Sequence, residues 1–472
     1  MKIKTGNFFL LLSILVLAGC AVGPDYRRPV VETPVAYKET QGWKMAEPQD
    51  RAPRGRWWEI YGDPQLNALV QQVALSNQNI RAAEAKYRQA LALLGVARAG
   101  YFPTLSAGLA ASRGQSVSAA GTSLPAAPIG NTDRISLAAG WEADVWGRIG
   151  RTVESNQASA EASAADLQAA LLSAQATLAQ TYLQLRINDI ERQLLEQTVA
   201  AYEKSLRITR NRYEAGVAGR IDVAQAETQQ KSTQAQAIDL GVQRSQLEHA
   251  IALLVGKAPA DFRLEPDNSL PSTPDIPVGL PSELLERRPD IAAAERRAAA
   301  ANAQIGVAQA AFFPALTLSA SAGYQSSSFA NLISLPNRFW SLGPAIAATL
   351  FDGGARSAQK EQAIAVFDSN VAAYRQTVLT GFQEVEDNLS ALRILEEENK
   401  VQREAAKSAA ESLALANNQY LAGTVSYLNV VSAQAASLVA DRSALDIAGR
   451  RLIASVSLLK ALGGDWRSGG VK

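Results

Sequence analysis

The chain has 472 residues, 47% hydrophobic and 19% charged, with a formal net charge of +1. A balance so close to neutral gives no overall attraction for nucleic acid or for an acidic surface. One cysteine, one histidine and two methionines exclude a Cys/His zinc site and a thioether-rich site for soft metals. A nucleophile relay would have to use His249, whose neighbours Gln246, Leu247 and Glu248 read as a solvated helix.

Lys2 and Lys4 precede an apolar run, Phe8 to Leu17, that is too short to span a bilayer. The run leads into Leu17-Ala18-Gly19-Cys20, which resembles the bacterial lipoprotein box. Residues 1–19 are therefore expected to be a signal peptide, with Cys20 carrying N-palmitoyl and S-diacylglycerol groups; no other cofactor is expected. Ala21 follows where an Asp would disfavour transfer to the outer membrane in the lipoproteins it resembles. No later run of about 18 apolar residues occurs, so any bilayer crossing would be made by β-strands.

Residues 20–64 are rich in proline and read as an extended strap ending in Arg56-Trp57-Trp58 and Asp63-Pro64. The Trp pair reads as a packing anchor. Asp63-Pro64 reads as an N-cap with Pro at the first helical position, opening a first repeat over residues 65–256. A short helix with Leu66, Leu69, Val70 and Val73 on one face is followed by a second, Asn77 to Ala99, which stops at Gly100-Tyr101-Phe102-Pro103. Period-two alternation then predicts strands at 103–113 and 134–145, separated by a Gly/Ser/Pro loop. On the second strand Ile135, Leu137, Ala139 and Trp141 alternate with Arg134, Ser136, Ala138, Gly140 and Glu142, as in a barrel strand with lipid on one side and a wet lumen on the other.

At Trp146-Gly147 the alternation gives way to a helix over 148–213, free of Pro and Gly after Gly150. Seven-residue steps pick out Ala164, Leu171, Leu178, Leu185, Arg192, Val199, Leu206 and Tyr213 as a packing stripe. Gly216 reads as the stop, and a return helix covers 221–254. A Pro-rich linker, 257–287, separates a second repeat, 288–464, in which strands 314–325 and 339–350 and helices 355–420 and 427–462 recur in the same order; 465–472 is a tail. Phe312-Phe313-Pro314 echoes Tyr101-Phe102-Pro103, and Asn418-Gln419-Tyr420 with Gly423 echoes Asn211-Arg212-Tyr213 with Gly216. The expected fold class is mainly α with membrane β, carrying an internal two-fold repeat.

Four membrane-length strands cannot close a barrel alone, since single-chain barrels start at eight, and lipid leaves no unpaired edge satisfied. The chain is therefore expected to oligomerise around a conduit, the strands in the membrane and the helices beyond it. It resembles the TolC-like outer membrane efflux proteins, in the lipoprotein branch serving resistance-nodulation-division pumps. The lipoprotein box, Arg56-Trp57-Trp58 with Asp63-Pro64, Glu286-Arg287-Arg288-Pro289-Asp290-Ile291, the Phe-Pro corners and the two Tyr-x-x-Gly turns carry that resemblance. It implies a homotrimer whose strands form a twelve-stranded outer-membrane barrel continued by a periplasmic helical barrel. It implies a passive exit for drugs, solvents or other small toxic compounds, with a periplasmic adaptor and an inner-membrane pump as partners and no nucleic acid.

By position the resemblance places adaptor-facing tips at Gly216, Val217, Arg220, Gly423, Thr424 and Val425, and a periplasmic gate at Leu428 and Ser432 supported by Tyr427 and Asp222. Ser432 and Ala435 stand where related proteins often have Asp and Arg, so the usual acid–base lock is missing. Packing within the helix hairpins is the alternative role for Tyr213, Tyr420 and Tyr427. An exit duct for type I protein secretion and a structural coiled-coil stalk are the alternatives. An enzyme is not expected, since no metal cluster, phosphate loop or nucleophile elbow occurs.

Overall fold

The computed structural model describes residues 21–31, 56–115, 129–274 and 288–464. Cys20, the signal peptide, residues 32–55 of the strap, Glu286 and Arg287 of the linker and the 465–472 tail lie outside the described residues. The chain divides into two compact units, one holding Lys86–Ser163 and Ala294–Tyr374 with the start of the strap, the other holding Ala164–Ala293 and Arg375–Lys472 with Val31–Ala85.

The elements, in order, are helices α1 (Pro64–Ser76) and α2 (Gln78–Ala99), strands β1 (Thr104–Gly114) and β2 (Gly130–Ala143), helices α3 (Arg148–Glu214), α4 (Arg220–Leu254) and α5 (Pro289–Ala310), strands β3 (Ala315–Ser326) and β4 (Arg338–Ala347), and helices α6 (Ala355–Leu421) and α7 (Tyr427–Ala461). Helices α2 and α5 each have 22 residues, α3 and α6 67, and α4 and α7 35. No described helix is long and apolar enough to cross a membrane.

In the first unit the four strands form one antiparallel sheet in the order β1-β2-β3-β4. The register puts Leu105 opposite Ala139, Ala139 opposite Ala320 and Ala320 opposite Leu342. Since side chains alternate faces, Leu109, Ile135, Leu137, Trp141, Leu318, Trp340 and Ile346 share one face with them. Thr104, Ser106, Ser136, Thr317, Ser319 and Ser341 share the other, with Arg134 and Glu142. Gly323 is required there: a Cβ would run into the Ile135 carbonyl oxygen of β2.

The second strand starts earlier than expected, at Gly130, because Asn131 and Thr132 pair with Arg113 and Ser112. It stops two residues short, at Ala143, because Asp144 turns to cap α3, its carboxylate accepting from the Ile149 and Gly150 amides at 2.8 and 2.7 Å. The fourth strand likewise ends at Ala347, not Leu350. Asp352 accepts from Gly354 and Arg356 amides at 3.0 and 3.2 Å to start α6, and Leu350 and Phe351 stand exposed. Both sheet-to-helix corners thus end in an aspartate that satisfies first-turn amides.

The strap meets this unit through Arg151. Its guanidinium donates to the Gly23 carbonyl at 3.2 Å and to Asp25 at 2.9 Å. Gly23, at φ 110°, lies so close to Gly306 of α5 that a Cβ on it would run into the Gly306 Cα, and a Cβ on Gly306 would meet the Arg151 side chain. Tyr26 donates to the Glu295 carboxylate at 2.7 Å; burial, then that bond, raises its pKa.

In the second unit the core joins Trp57, Leu66, Val70, Tyr182, Leu183, Ile251, Leu452 and Val456. Residues Trp57–Tyr61, expected as extended strap, form a short 3-10 turn whose tryptophans meet edge to face at 5.9 Å. Asp63 caps α1 with one carboxylate oxygen, accepting from Gln65 and Leu66 at 2.8 and 3.0 Å, and takes the Tyr182 hydroxyl on the other at 2.7 Å. Arg288 donates to Asp290 at 2.7 Å, to Glu384 at 2.6 Å and to the Ala461 carbonyl at 3.2 Å, tying the start of α5 to α6 and to the end of α7. Along α3 the seven-residue stripe is only partly buried. Leu178, Leu185 and Leu206 lie inside, whereas Arg192 and Tyr213 are exposed. A straight helix drifts about 20° per heptad, so Leu195 and Tyr202 take the inward positions instead.

Candidate functional site

The candidate site lies in the second unit, where α3 turns into α4 and α6 into α7. Both turns are built the same way. Gly216 takes φ 76° and Gly423 φ 77°, a left-handed conformation that costs glycine little. The Val217 amide then reaches the Arg212 carbonyl at 2.9 Å, and the Thr424 amide reaches that of Gln419 at 3.0 Å. The Gly216 and Gly423 amides meet the Tyr213 and Tyr420 carbonyls at 2.9 and 3.0 Å. These are paired Schellman closures that satisfy the last carbonyls of each helix.

The sequence pointed to Ile221 or Asp222 as the start of α4; it begins at Arg220, with Gly219 as its N-cap. Asp222 is half-buried, and its carboxylate accepts from the Gly219 amide at 3.1 Å. Its observed contact is thus that of a first-turn acid closing its own helix. Arg210 of α3 meets Glu227 of α4 at 2.6 Å and holds that carboxyl below the usual range.

Between the two hairpins Leu206, Val223, Ala226, Tyr420, Tyr427 and Val430 form a small core. Tyr427, expected at the gate, is 1% exposed. It packs edge to face on Tyr420 at 5.1 Å and shares a hydrogen bond with Ser205 at 3.1 Å. Its side chain therefore belongs to the packing of the protomer and not to a surface. The next residue, Leu428, is 54% exposed, and Ser432, one turn on, is exposed beside it. Gly216, Val217, Arg220, Gly423 and Thr424 are exposed as well, while Val425 is half-buried against the tip core.

The family model described as outer membrane efflux protein matches residues 69–257 and 280–464. The chain belongs to this family. The toluene efflux pump outer membrane protein TtgC of Pseudomonas putida is 32% identical over 470 residues, covering 97% of this chain and 95% of that one. The pyoverdine export outer membrane protein OpmQ of Pseudomonas aeruginosa is also 32% identical, covering 98% and 97%. The solved outer-membrane channel OprN superposes with a TM-score of 0.85 at 31% identity, covering 94% of this chain and 99% of that one.

Within this outer membrane efflux protein, the tips also use a residue to which the sequence reading gave no role. Arg212, two residues before the end of α3, donates to the carbonyl of Leu421 at 3.1 Å, and its guanidinium lies 4.7 Å from the centre of the Tyr420 ring. A basic residue in the last turn of a helix is a recognised local signal. That it serves the end of a helix more than 200 positions away is visible only in the fold.

Proposed function

We propose that this outer membrane efflux protein acts as the passive, trimeric exit duct of a tripartite pump. The observation that carries the reading is the sheet: four strands, an apolar face continuous across all of them, a Ser/Thr/Gly face opposite, and no further strand partner on β1 or β4 among the described residues. In lipid those two edges must be paired. Pairing β1 of one copy with β4 of the next closes a barrel, and three copies supply twelve strands. Helices of 67 residues are about 100 Å long, several times the ~30 Å of a hydrocarbon core, which suits a tube through the periplasm.

The matching helix lengths of the two halves, each matched by the family model, support their origin as two copies of one unit. Cys20, next to the docked Val22–Asp25 segment, is proposed to carry the lipid anchor. The exposed Gly216, Val217, Arg220, Gly423 and Thr424 are proposed to meet a periplasmic adaptor that links the duct to an inner-membrane resistance-nodulation-division transporter. Leu428 and Ser432 are proposed to line the constriction. Toluene and pyoverdine name relatives at the same identity, so cargo selection is assigned to the pump and no catalytic step to this chain.

The test is single-channel conductance of the purified protein in planar bilayers, beside its mass in detergent. A trimer with a small conductance that rises in Leu428→Ala is expected. Folded trimers that never conduct would reject the duct in favour of a structural stalk.

A further inference from the structure

Helices flank the sheet of the first unit at the Thr104, Ala143, Ala315 and Ala347 ends of its strands, so the β1–β2 and β3–β4 connections lie at the opposite end. With the helices in the periplasm, that opposite end reaches the outer leaflet. The apolar face is not smooth there. The small side chains of Ala107 and Ala322 leave a groove beside Leu137, walled by Ile135, Tyr324 and Trp340 and by Ile333 of the β3–β4 connection. Tyr324 stands opposite both Ile135 and Arg338, and Ala322 opposite both Leu137 and Trp340, so these side chains share one face. The groove holds about 740 Å³, within the ~300–1,000 Å³ of small-molecule sites. Pairing β1 with β4 of another copy uses backbone edges and leaves this face open.

The groove ends at Arg338. That side chain is exposed and makes no hydrogen bond or ion pair among the described residues. Asp133, an acid on the same face and at the same end, does not pair with it, and Arg113 of β1 adds a second exposed cation there. Arg134 belongs to the other face and lies over the Phe339 ring at 4.4 Å. An arginine where an apolar strand face ends, flanked by Tyr and Trp, stands at the depth where acyl chains meet an anionic headgroup. Its paired N–H donors match phosphate oxygens. A phospholipid of the inner leaflet would put its phosphate at the other end of the strands, beside the sheet-to-helix corners.

We propose that this groove is a binding site for a phosphorylated, multiply acylated glycolipid of the outer leaflet, a lipid A. One acyl chain lies over Ala107 and Ala322 between Tyr324 and Trp340, and Arg338 takes a phosphate. This rests on the sheet lying in the outer membrane with its apolar face toward lipid.

The experiment is native mass spectrometry of the full-length protein in detergent, titrated separately with diphosphoryl lipid A, dephosphorylated lipid A, phosphatidylglycerol and inorganic phosphate. The wild type is expected to hold one diphosphoryl lipid A per protomer and to bind the dephosphorylated lipid and phosphatidylglycerol about tenfold more weakly. Arg338→Gln is expected to weaken diphosphoryl lipid A about tenfold and to leave the dephosphorylated lipid unchanged. Ala322→Phe, which fills the groove and keeps the cation, is expected to weaken both. Leu342→Ala, on the same face nearer the corners, is expected to bind as the wild type does. Wild-type affinity in Arg338→Gln, or phosphatidylglycerol held as tightly as lipid A, overturns the site and leaves an ordinary lipid-coated face. Displacement of lipid A by an equal concentration of inorganic phosphate gives Arg338 to a free anion and overturns it as well. So does an association of assemblies that excludes lipid A, which gives the groove to a second copy of the chain. Conductance of the same preparation separates the two readings. Conducting trimers with no preference for lipid A overturn the site alone, and non-conducting trimers that bind no lipid overturn the duct with it. If Arg338→Gln does not assemble, Arg338→Lys and Ala322→Phe carry the same comparison.

Discussion

Two arginines six residues apart on α3 should differ greatly in what they contribute. The Arg186 side chain is 1% exposed. It donates to the Tyr182 hydroxyl at 3.0 Å, to the Glu265 carbonyl at 3.1 Å and to the Gln65 side chain, pairs with Asp189 at 3.4 Å, and lies 4.7 Å from the Tyr182 ring centre. Those partners bring α1, α3 and the linker after α4 to one point. Arg192 pairs only one turn along its own helix, with Glu196 at 2.9 Å, and the two side chains are 45% and 55% exposed. Replacing Arg186 with Met keeps much of the volume and takes the guanidinium donor away from the Glu265 carbonyl and the half-buried Gln65 amide oxygen. Asp189 keeps Arg244 at 2.8 Å, so its charge is not abandoned. Losing the hydrogen bonds of a charged donor costs about 1.5–3 kcal/mol, whereas an exposed i,i+4 pair is worth about 0.3–0.5 kcal/mol. At about 2–4 °C per kcal/mol, Arg186→Met should lower the melting temperature by roughly 3–12 °C and Arg192→Ala by no more than about 2 °C. Thermal unfolding followed by far-ultraviolet circular dichroism reads both. Equal shifts would refute the claim that the Arg186 network holds the linker to the helices.

Gly23→Ala should release the strap, because φ 110° and the contact with Gly306 both forbid a Cβ, while Gly62→Ala, at φ 64° with open space around it, should cost only about 1 kcal/mol. Limited proteolysis of residues 21–31 distinguishes them, and equal protection in the two variants would count against the docked strap. Tyr427→Ala should destabilise the tip by about 3–5 kcal/mol, and Leu428→Ala, at an exposed position, by under about 0.5 kcal/mol; hydrogen exchange of the tip amides measures the difference, and the reverse order would place Tyr427 on a surface. Glu227 is held below its ordinary range by Arg210. The folded value is thus the depressed one, so this pair supports the α3–α4 turn above the unfolded carboxyl pKa and loses that support as pH falls through the folded value. Exchange at the turn should quicken below about pH 4 in the wild type and show no such step from this pair in Glu227→Gln, which should instead exchange faster at neutral pH.

Much of the local structure was legible because it depends on near neighbours. Pro103 and Pro314 stop the helices before β1 and β3. Asp63-Pro64 opens α1 as a capping pair must, and Gly216 and Gly423 stop α3 and α6. The end of β2 was missed because Asp144 continues the alternating pattern and yet turns to serve the next helix; β4 ends before the expected Leu350, and Asp352 beyond it serves the first turn of α6. The stripe along α3 misplaced Arg192 and Tyr213, since a strict seven-residue period assumes supercoiled contact along the whole helix, and the actual neighbours change along its length. At the tips, the turn positions could be read from glycine spacing, but the separation of Tyr427 from Leu428 could not. Adjacent helical residues differ by 100° in direction, and which of them is buried depends on where Ser205 and Tyr420 lie.

The sequence by itself determined the kinds of element, most of their ends and the two-faced character of each strand, because periodicity, caps and proline act within a few residues. The tertiary structure decided that all four strands pair in one register that gathers the apolar residues on a single face. It also decided that Arg186 is buried where Arg192 is solvated, and that the Arg212 side chain, on α3, serves the end of α6. Each of those outcomes depends on partners distant along the chain, brought together only when the helices pack and the strands pair.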